Sequence, residues 1–530
     1  MSTLATRAVN LAHTLTKTAR RLPDSTALIS GDLRWSWREL DDAVSALAHL
    51  LYERGIRPGQ CVLIHSINHA EYVQAMFAVW RVGAVLAPTN VRLTPDDVAG
   101  IARTCRPVAV VCHRDFPEHA AAVSAEIALP AGVLWIGVES ADGEGVAAAG
   151  RAAPFTDAPV RVGDPAWYFF TSGTSGAPKA AILTHDQMGF VLTNHLCDLM
   201  PATTERDVSL VVAPLSHGAG IHVLPQVATG AATVLTGSGK LDGAEVWALV
   251  ERERVTNMFT VPTILKLLAE HPDAGVRDHS SLRHVVYAGA PMYASDQQHA
   301  RRVLGDVLVQ YYGLGEVTGN ITVLPPHLHD HPSPDGIEIG TCGYPRTGMQ
   351  VSIQDETGHE LPSGLQGEIC VSGPAVFVGY LDNDDANTAA FRDGWFRTGD
   401  LGILDGHGFL YVTGRASDMY ISGGSNIYPR DIEEKLLQHP GVSEAAVLGM
   451  PDPIWGEVGV AIYVPAPGTS PSPDELRQWL EPRLARYKLP RHFLLWDELP
   501  KSGYGKVVKR TIRAHLETLP WNPSHTGTAS

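Results

Sequence analysis

Between Tyr168 and Lys179 the chain reads Tyr-Phe-Phe-Thr-Ser-Gly-Thr-Ser-Gly-Ala-Pro-Lys, an aromatic strand running into hydroxyls and glycines that end on one lysine. Few folds use such a run. Glycines let the backbone turn tightly enough for its N–H groups to converge on a polyphosphate, Thr and Ser hydroxyls add donors, and the lysine adds a mobile positive charge. A Walker A loop closes on a Gly-Lys pair, whereas Pro178 here stands directly before Lys179. The loop is therefore an anion grip of another kind.

The 530 residues exceed one hydrophobic core and predict several domains. A formal charge of -16 argues against broad electrostatic binding to nucleic acid or an anionic membrane, so a phosphate partner has to be held locally. The six cysteines are scattered without a Cys-x-x-Cys pair, which suits thiols in a reducing cytoplasm. No apolar run approaches the ~18 residues that span a bilayer. Arg7, Lys17, Arg20 and Arg21 precede the first acid, Asp24, as in a transit peptide; a surface helix over Leu11 to Arg21 is the preferred reading.

Short β-rich runs at Cys61 to Ile64, Val108 to Val111 and Ser209 to Ala213 alternate with amphipathic stretches at Ala70 to Val82 and Gly243 to Arg254. That alternation predicts βαβ units and parallel sheets, an α/β class. From about Gly336 to Tyr411 the texture changes to short strands rich in Gly and Pro, which predicts a small antiparallel or barrel-like subdomain. After Gly414-Arg415 a compact α+β segment is expected, with a strand at Ala445 to Gly449 and a helix at Pro473 to Arg486. The Pro, Ser, Thr and Gly of 520–530 predict a disordered tail.

Further blocks stand at Ala213-Pro-Leu-Ser-His217, Tyr287-Ala-Gly-Ala-Pro291, Gln310-Tyr-Tyr-Gly-Leu-Gly-Glu316, Gly394 to Asp400, Gly414 to Gly424 and Leu499 to Lys506. Together with the phosphate loop, in this order, they resemble the adenylate-forming enzymes, which include AMP-forming acyl-CoA synthetases, luciferases and stand-alone adenylation domains. The resemblance implies a large N-terminal domain over 1–415 with the β-rich subdomain at about 336–411, and a mobile C-terminal domain over 416–519. It implies ATP and CoA as co-substrates, Mg²⁺ as cofactor, a carboxylic acid as the other substrate and a cytoplasmic enzyme, and it is compatible with a homodimer.

In that frame Thr171, Ser172, Gly173, Thr174, Ser175, Gly176 and Lys179 hold phosphates, and Glu316 holds Mg²⁺. Tyr312, beside Tyr311 and Gly313, resembles the residue stacked on adenine, with Gly289, Ala290 and Pro291 on its other side. Asp400 resembles the ribose ligand, and Arg415 adds a second ribose or phosphate contact. Lys506 resembles the lysine that reaches the α-phosphate and the attacking carboxylate, a task suited to a compact charge on a long stem. His217 gates an acid pocket expected from Phe190, Gly218, Ala219, His222, Phe259 and Ala288.

For the second step, thiol attack on the acyl-adenylate, the hinge falls after Arg415 at Ser417, where the family usually has Asp or Lys. The resemblance implies that Gly423 and Gly424 line a pantetheine tunnel; Trp455 resembles the residue that stacks on the CoA adenine in some aryl-CoA ligases, and Arg486, with Lys488 and Arg491, is a candidate patch for the 3′-phosphate of CoA.

Three features set this chain apart. Gly315 stands where the family usually places Thr, and Thr318 is a possible substitute for the lost hydroxyl. His217 is followed by Gly218-Ala-Gly220 without the aspartate that pairs with an amino-acid ammonium, so a mostly apolar pocket for a fatty or aromatic acid is expected. His327, His329 and His331 alternate as a metal site would, but lack acid or Cys partners, and an exposed loop is the preferred reading. The readings in competition are an acid:CoA ligase, an acyl-AMP ligase loading a carrier-protein thiol, and a nucleotide-binding homologue without catalysis.

Overall fold

The computed structural model describes residues 6–138, 145–149, 153–171, 178–237, 241–334, 337, 339–501 and 507–518. Two large sheets form the N-terminal body. A six-stranded sheet runs Lys179–Thr184, Pro165–Thr171, Val85–Thr89, Cys61–His65, Ala109–His113, Val133–Ile136. A nine-stranded sheet carries Leu308–Tyr312, His284–Tyr287, Asn257–Thr260, Val208–Val211 and Ala232–Leu235 as parallel neighbours, extended at one edge by Thr26–Ser30 and Leu33–Ser36.

The helix Ala70–Arg81 shows why the sheets stack. Eleven of its twelve residues are buried, Gln74 and Arg81 among them, so it has no solvated face and fits a layer between sheets. Arg81 survives there because Asp41 and Asp157 both pair with it. The helix expected at Leu11 to Arg21 forms over Ala12–Arg21, with Leu15, Thr18 and Ala19 turned into the core.

Residues Gln350 to Arg415 form the β-rich unit, a five-stranded antiparallel sheet. Beyond it a second five-stranded sheet pairs Val442–Asp452 with Gly456–Pro465. The expected helix from Pro473 ends at Leu480, not Arg486, because Pro482 has no N–H to continue the ladder. Hydrophobic packing divides in the same place. One cluster joins strands of both large sheets and the β-rich unit, and two separate clusters, around Tyr420 and Leu448, hold the C-terminal sheet.

Candidate active site

The strands that flank the phosphate loop pair with each other as antiparallel neighbours. Thr171 ends one strand and Lys179 starts its antiparallel partner directly opposite. Thr171 Oγ1 donates to Glu316 Oε1 at 3.1 Å, and the Tyr380 hydroxyl donates to the same oxygen at 2.8 Å. Phe377 N–H donates to the Glu316 carbonyl at 2.8 Å, which fixes the backbone of the short turn Gly315–Val317. Lys179 Nζ sits 5.3 Å above the Tyr380 ring. Both side-chain bonds fall on Oε1, so Oε2 takes none among the described residues, and a carboxylate held in this way fits a hard divalent cation. Ser172, Gly173, Thr174, Ser175, Gly176 and Lys506 lie outside the described residues.

A second corner forms where the nine-stranded sheet meets the β-rich unit. Tyr312 ends its strand and donates its hydroxyl to Asp400 Oδ2 at 2.7 Å. Arg415, opposite Asp400 in the antiparallel register, brings Nε to 3.2 Å from Oδ1. Burial, and then the Asp400 charge, push the Tyr312 phenol well above its ordinary pKa, so it remains a donor. Alternation along the strand turns Tyr311 to the other face, where its ring stacks on Phe259 at 6.1 Å. Gly289, Ala290 and Pro291 follow the adjacent strand His284–Tyr287, and Gly289 has φ +87°. At Gly313 a Cβ would stand 2.3 Å from the Gly319 backbone, so the two chain segments touch there only because residue 313 is glycine; a Cβ on Gly319 would instead meet the Tyr311 ring at 2.4 Å.

Gly315 has a physical cause. A Cβ at that position would lie 2.5 Å from Phe169 Cδ1 and 3.1 Å from Thr171 Cγ2. The Phe169 ring fills the place a threonine side chain would take, and its edge meets His217 at 5.0 Å between centroids. Thr318 does not supply the missing hydroxyl. It is buried, and its Oγ1 donates to Val317 O at 2.6 Å.

The acid-side residues gather at the carboxyl edge of the parallel strands, where open α/β sheets bind ligands. His217 caps the helix Gly218–Thr229, with Nδ1 3.1 Å from Ser216 Oγ. A Cβ on Gly218 would stand 2.6 Å from Phe259 Cζ, so this glycine lets the ring close one wall. Ala219 and Ala288 are buried beside it, and Phe190 packs under Gly348, where a Cβ would be 2.9 Å from its Cζ. His222 differs from the apolar expectation. It is buried and hydrogen-bonded through Nε2 to Asn257 Oδ1 at 3.1 Å, and burial lowers its pKa to about 4.

In the C-terminal sheet Gly423 and Trp455 meet. Gly423 N–H donates to Trp455 O at 2.9 Å, and a Cβ on Gly423 would stand 2.7 Å from the indole. Gly424, at φ +81°, has open space around it. Arg491 lies 5.0 Å from the Trp455 ring centroid, whereas Lys488 pairs with Asp431 at 2.5 Å and Arg486 is exposed at the start of the same turn, Arg486–Lys488. Ser417 is exposed between the last strand of the β-rich unit and the C-terminal sheet. His329 is buried against the Tyr287 hydroxyl at 3.2 Å and His331 stacks on Phe409, so two of the three histidines pack onto the body, while His327 is exposed as expected; among the described residues no cluster suits a metal.

Sequence reasoning missed Tyr380, Phe169, His195 and Arg346. Only Arg346 carried a signal, as the one charge between Glu338 and Asp355.

Residues 15–381 match the model of the AMP-binding enzyme family, and residues 431–506 match that of the AMP-binding enzyme C-terminal domain. The chain is 38% identical over 506 residues to a feruloyl-CoA synthase of an Amycolatopsis species, covering 93% of this chain and 96% of that one. It is 30% identical over 510 residues to the fatty acid–acyl-carrier-protein ligase ScoC of Streptomyces coeruleorubidus, covering 95% and 96%. The structure of the amide bond synthetase McbA from Marinactinospora thermotolerans superposes with a TM-score of 0.86 at 30% identity, over 96% of this chain and all of that one. Matched in both of its parts, this chain belongs to the AMP-binding enzyme family and is an AMP-forming acid–thiol ligase.

Proposed function

We propose that the chain joins an uncharged-tail monocarboxylic acid, fatty or aromatic, to CoA in two steps at one site. A carboxylate oxygen attacks the α-phosphorus of ATP and the bond to pyrophosphate breaks. The CoA sulfur, losing its proton, then attacks the acyl carbon and AMP leaves. Both partners of the first step are anions, so donors and cations must stand where charge gathers.

The observation that supports this reading is a pair of prebuilt corners, with His217 meeting Phe169 beside the phosphate one. Glu316, Thr171, Tyr380 and Lys179 form the phosphate end, and Tyr312, Asp400 and Arg415 form the nucleoside end. Glu316 Oε2 would hold the Mg²⁺ that accompanies ATP and neutralises phosphate charge. Asp400 is placed to accept from ribose hydroxyls, Tyr312 offers a ring face, and Lys506 completes the charge on the α-phosphate. Residues 416–519 swing about Ser417, withdrawing Lys506 and bringing Gly423, Gly424 and Trp455 to the adenylate.

With no acid after His217, an amino-acid ammonium lacks its counter-ion, so amino acids are poor substrates. Pyrophosphate release with hexanoate, decanoate, benzoate and phenylalanine, with and without CoA, tests the reading. Release with the monocarboxylates and acyl-CoA formation on adding CoA are expected; preference for phenylalanine overturns the pocket argument. The ScoC relative motivates a second acceptor, a carrier-protein thiol. Transfer to a phosphopantetheinyl carrier protein but not to CoA would replace the first acceptor with the second.

A further inference from the structure

The acid side of the site ends in polar groups, and their hydrogen bonds do not close. Arg346 is 1% exposed. Its backbone is pinned, the N–H donating to Ile321 O and the carbonyl accepting from Met349 N, both at 2.9 Å. Its Nη2 stands 3.2 Å from His195 Nδ1, while Nε and Nη1 have no hydrogen-bond partner among the described residues. The carboxylate nearest to it does not close the gap. Asp198 Oδ2 is 3.8 Å from Nε, and both of its oxygens are taken by Thr347, through the N–H and the hydroxyl, each at 2.8 Å.

His222 faces the same region from the helix that His217 caps. Its Nε2 lies 3.1 Å from Asn257 Oδ1 and 3.4 Å from Gln226 Nε2; with the Asn257 oxygen taking the Nε2 proton, Nδ1 of the neutral ring is a bare acceptor, and that atom is buried without a hydrogen-bond partner among the described residues. The ring of His195 links the two residues, 3.2 Å from the guanidinium and 6.5 Å from the His222 ring centroid. His195 cannot complete the set. Its Nδ1 also lies 2.9 Å from Val191 O, and one ring nitrogen cannot donate to that carbonyl and accept from Arg346 at once.

Buried donors and acceptors left open are costly unless something supplies the missing bonds. The open atoms here are guanidinium donors and one imidazole acceptor, which together match a hydroxyl, a group that accepts and donates. Asp198 already sets a negative charge beside Arg346, so a neutral oxygen suits the place better than a second carboxylate. The approach is flat. Phe259 and Tyr311 stack with 21° between their planes, and Phe190 lies beneath Gly348, next but one to Arg346. Along the helix, His222 is five residues beyond His217, about 7.5 Å deeper, room for a ring and a short linker.

We infer that the acid this enzyme activates is an aryl acid with a neutral phenolic hydroxyl at the end remote from its carboxylate, held by Arg346 and His222. The inference rests on the adenylating reading above and narrows its substrate class.

The test is kcat/KM for adenylation, read as pyrophosphate release, for the matched acids 4-hydroxycinnamate, 4-methoxycinnamate, 4-methylcinnamate and 4-carboxycinnamate, with decanoate as an apolar control. The wild-type enzyme should prefer the hydroxy acid over the methyl acid by roughly tenfold or more, because the methyl group leaves buried polar atoms unpaired. The methoxy acid, which accepts but cannot donate, should fall between them, and the carboxy acid should be poor. Arg346→Met should abolish the preference chiefly by lowering the hydroxy-acid value, while the methyl-acid value changes little; Arg346→Lys should restore part of it. His222→Phe, tested in parallel in case Arg346→Met does not fold, should erase the gap between the hydroxy and methoxy acids. A wild-type enzyme that treats hydroxy and methyl acids alike, or variants that lower both equally, overturn the inference and make Arg346 structural. Activation of decanoate above every cinnamate overturns it while leaving the ligase intact. Absence of pyrophosphate release with any acid overturns the adenylating reading, and the inference with it.

Discussion

Asp400 and Glu316 are each 6% exposed and are held by side chains from distant parts of the chain, whereas Trp455 is 44% exposed and rests on its own loop, the Gly423 backbone and one arginine. The first two belong to a body with a continuous core under both large sheets and the β-rich unit; the third belongs to a sheet with separate cores. The contrast matches the two half-reactions. In the proposed first step, charge that builds on phosphate is met by groups already in place, which need no reorganisation when the bond breaks. In the proposed reaction, thiol transfer uses a surface on the separately packed unit. Contacts between the units include Arg430 Nη1 to Val412 O at 2.6 Å and Ala294 N–H to Glu434 Oε1 at 3.0 Å, side-chain-to-backbone bonds that a rotation about Ser417 could exchange for others.

The sharpest way to break this comparison is Lys506→Ala. The lysine is proposed to meet charge present only in the transition state, so adenylation should fall by orders of magnitude with ATP binding nearly unchanged. Pyrophosphate exchange into ATP reads the step. Exchange at the wild-type rate would leave the C-terminal unit without a part in adenylation.

Gly315→Thr tests whether the phosphate corner is as closely packed as Phe169 indicates. Restoring the family's usual hydroxyl should harm rather than help, because the new Cβ overlaps the Phe169 ring, an overpacking cost of about 1–3 kcal/mol. Adding Phe169→Ala should return part of the lost adenylation rate, a coupling that two independent sites would not show. A faster single variant would mean that the ring yields freely.

Tyr380→Phe should have the smallest effect. It removes one of two bonds on Glu316 Oε1 while Thr171 keeps the other, so KM for Mg²⁺-ATP should rise about threefold to tenfold with KM for the acid unchanged. An equal rise in both would place Tyr380 in general packing instead.

The molecule shows which features a sequence can announce. The phosphate loop, the Tyr-Gly block and the Thr-Gly-Asp turn are contiguous, and their residue types have few other uses, so the fold and both corners were legible. Helix limits failed by a few residues where a proline such as Pro482 intervened. Tyr380 and Phe169 were not legible, because each acts on a segment far away in sequence, Tyr380 on Glu316 and Phe169 on Gly315. The absent threonine at 315 looked like a loss when read alone; beside Phe169 it is one half of a steric exchange. Thr318 looked like a substitute until its buried hydroxyl was found bonded to Val317 O.

The central claim, that one prebuilt site makes the adenylate and a separately packed surface brings the thiol, is tested most directly by single-turnover quench of Gly424→Leu, following acyl-AMP and acyl-CoA in the same samples. A Cβ at Gly424 meets no atom within 4 Å, so the change puts bulk on the proposed pantetheine path and, at a left-handed φ of +81°, strain on the local backbone, without touching Asp400 or Glu316. Acyl-AMP should form at the wild-type rate while its conversion to acyl-CoA falls about a hundredfold, the penalty for a thiol held slightly off its line of attack. Loss of both steps together, or of neither, would contradict the account.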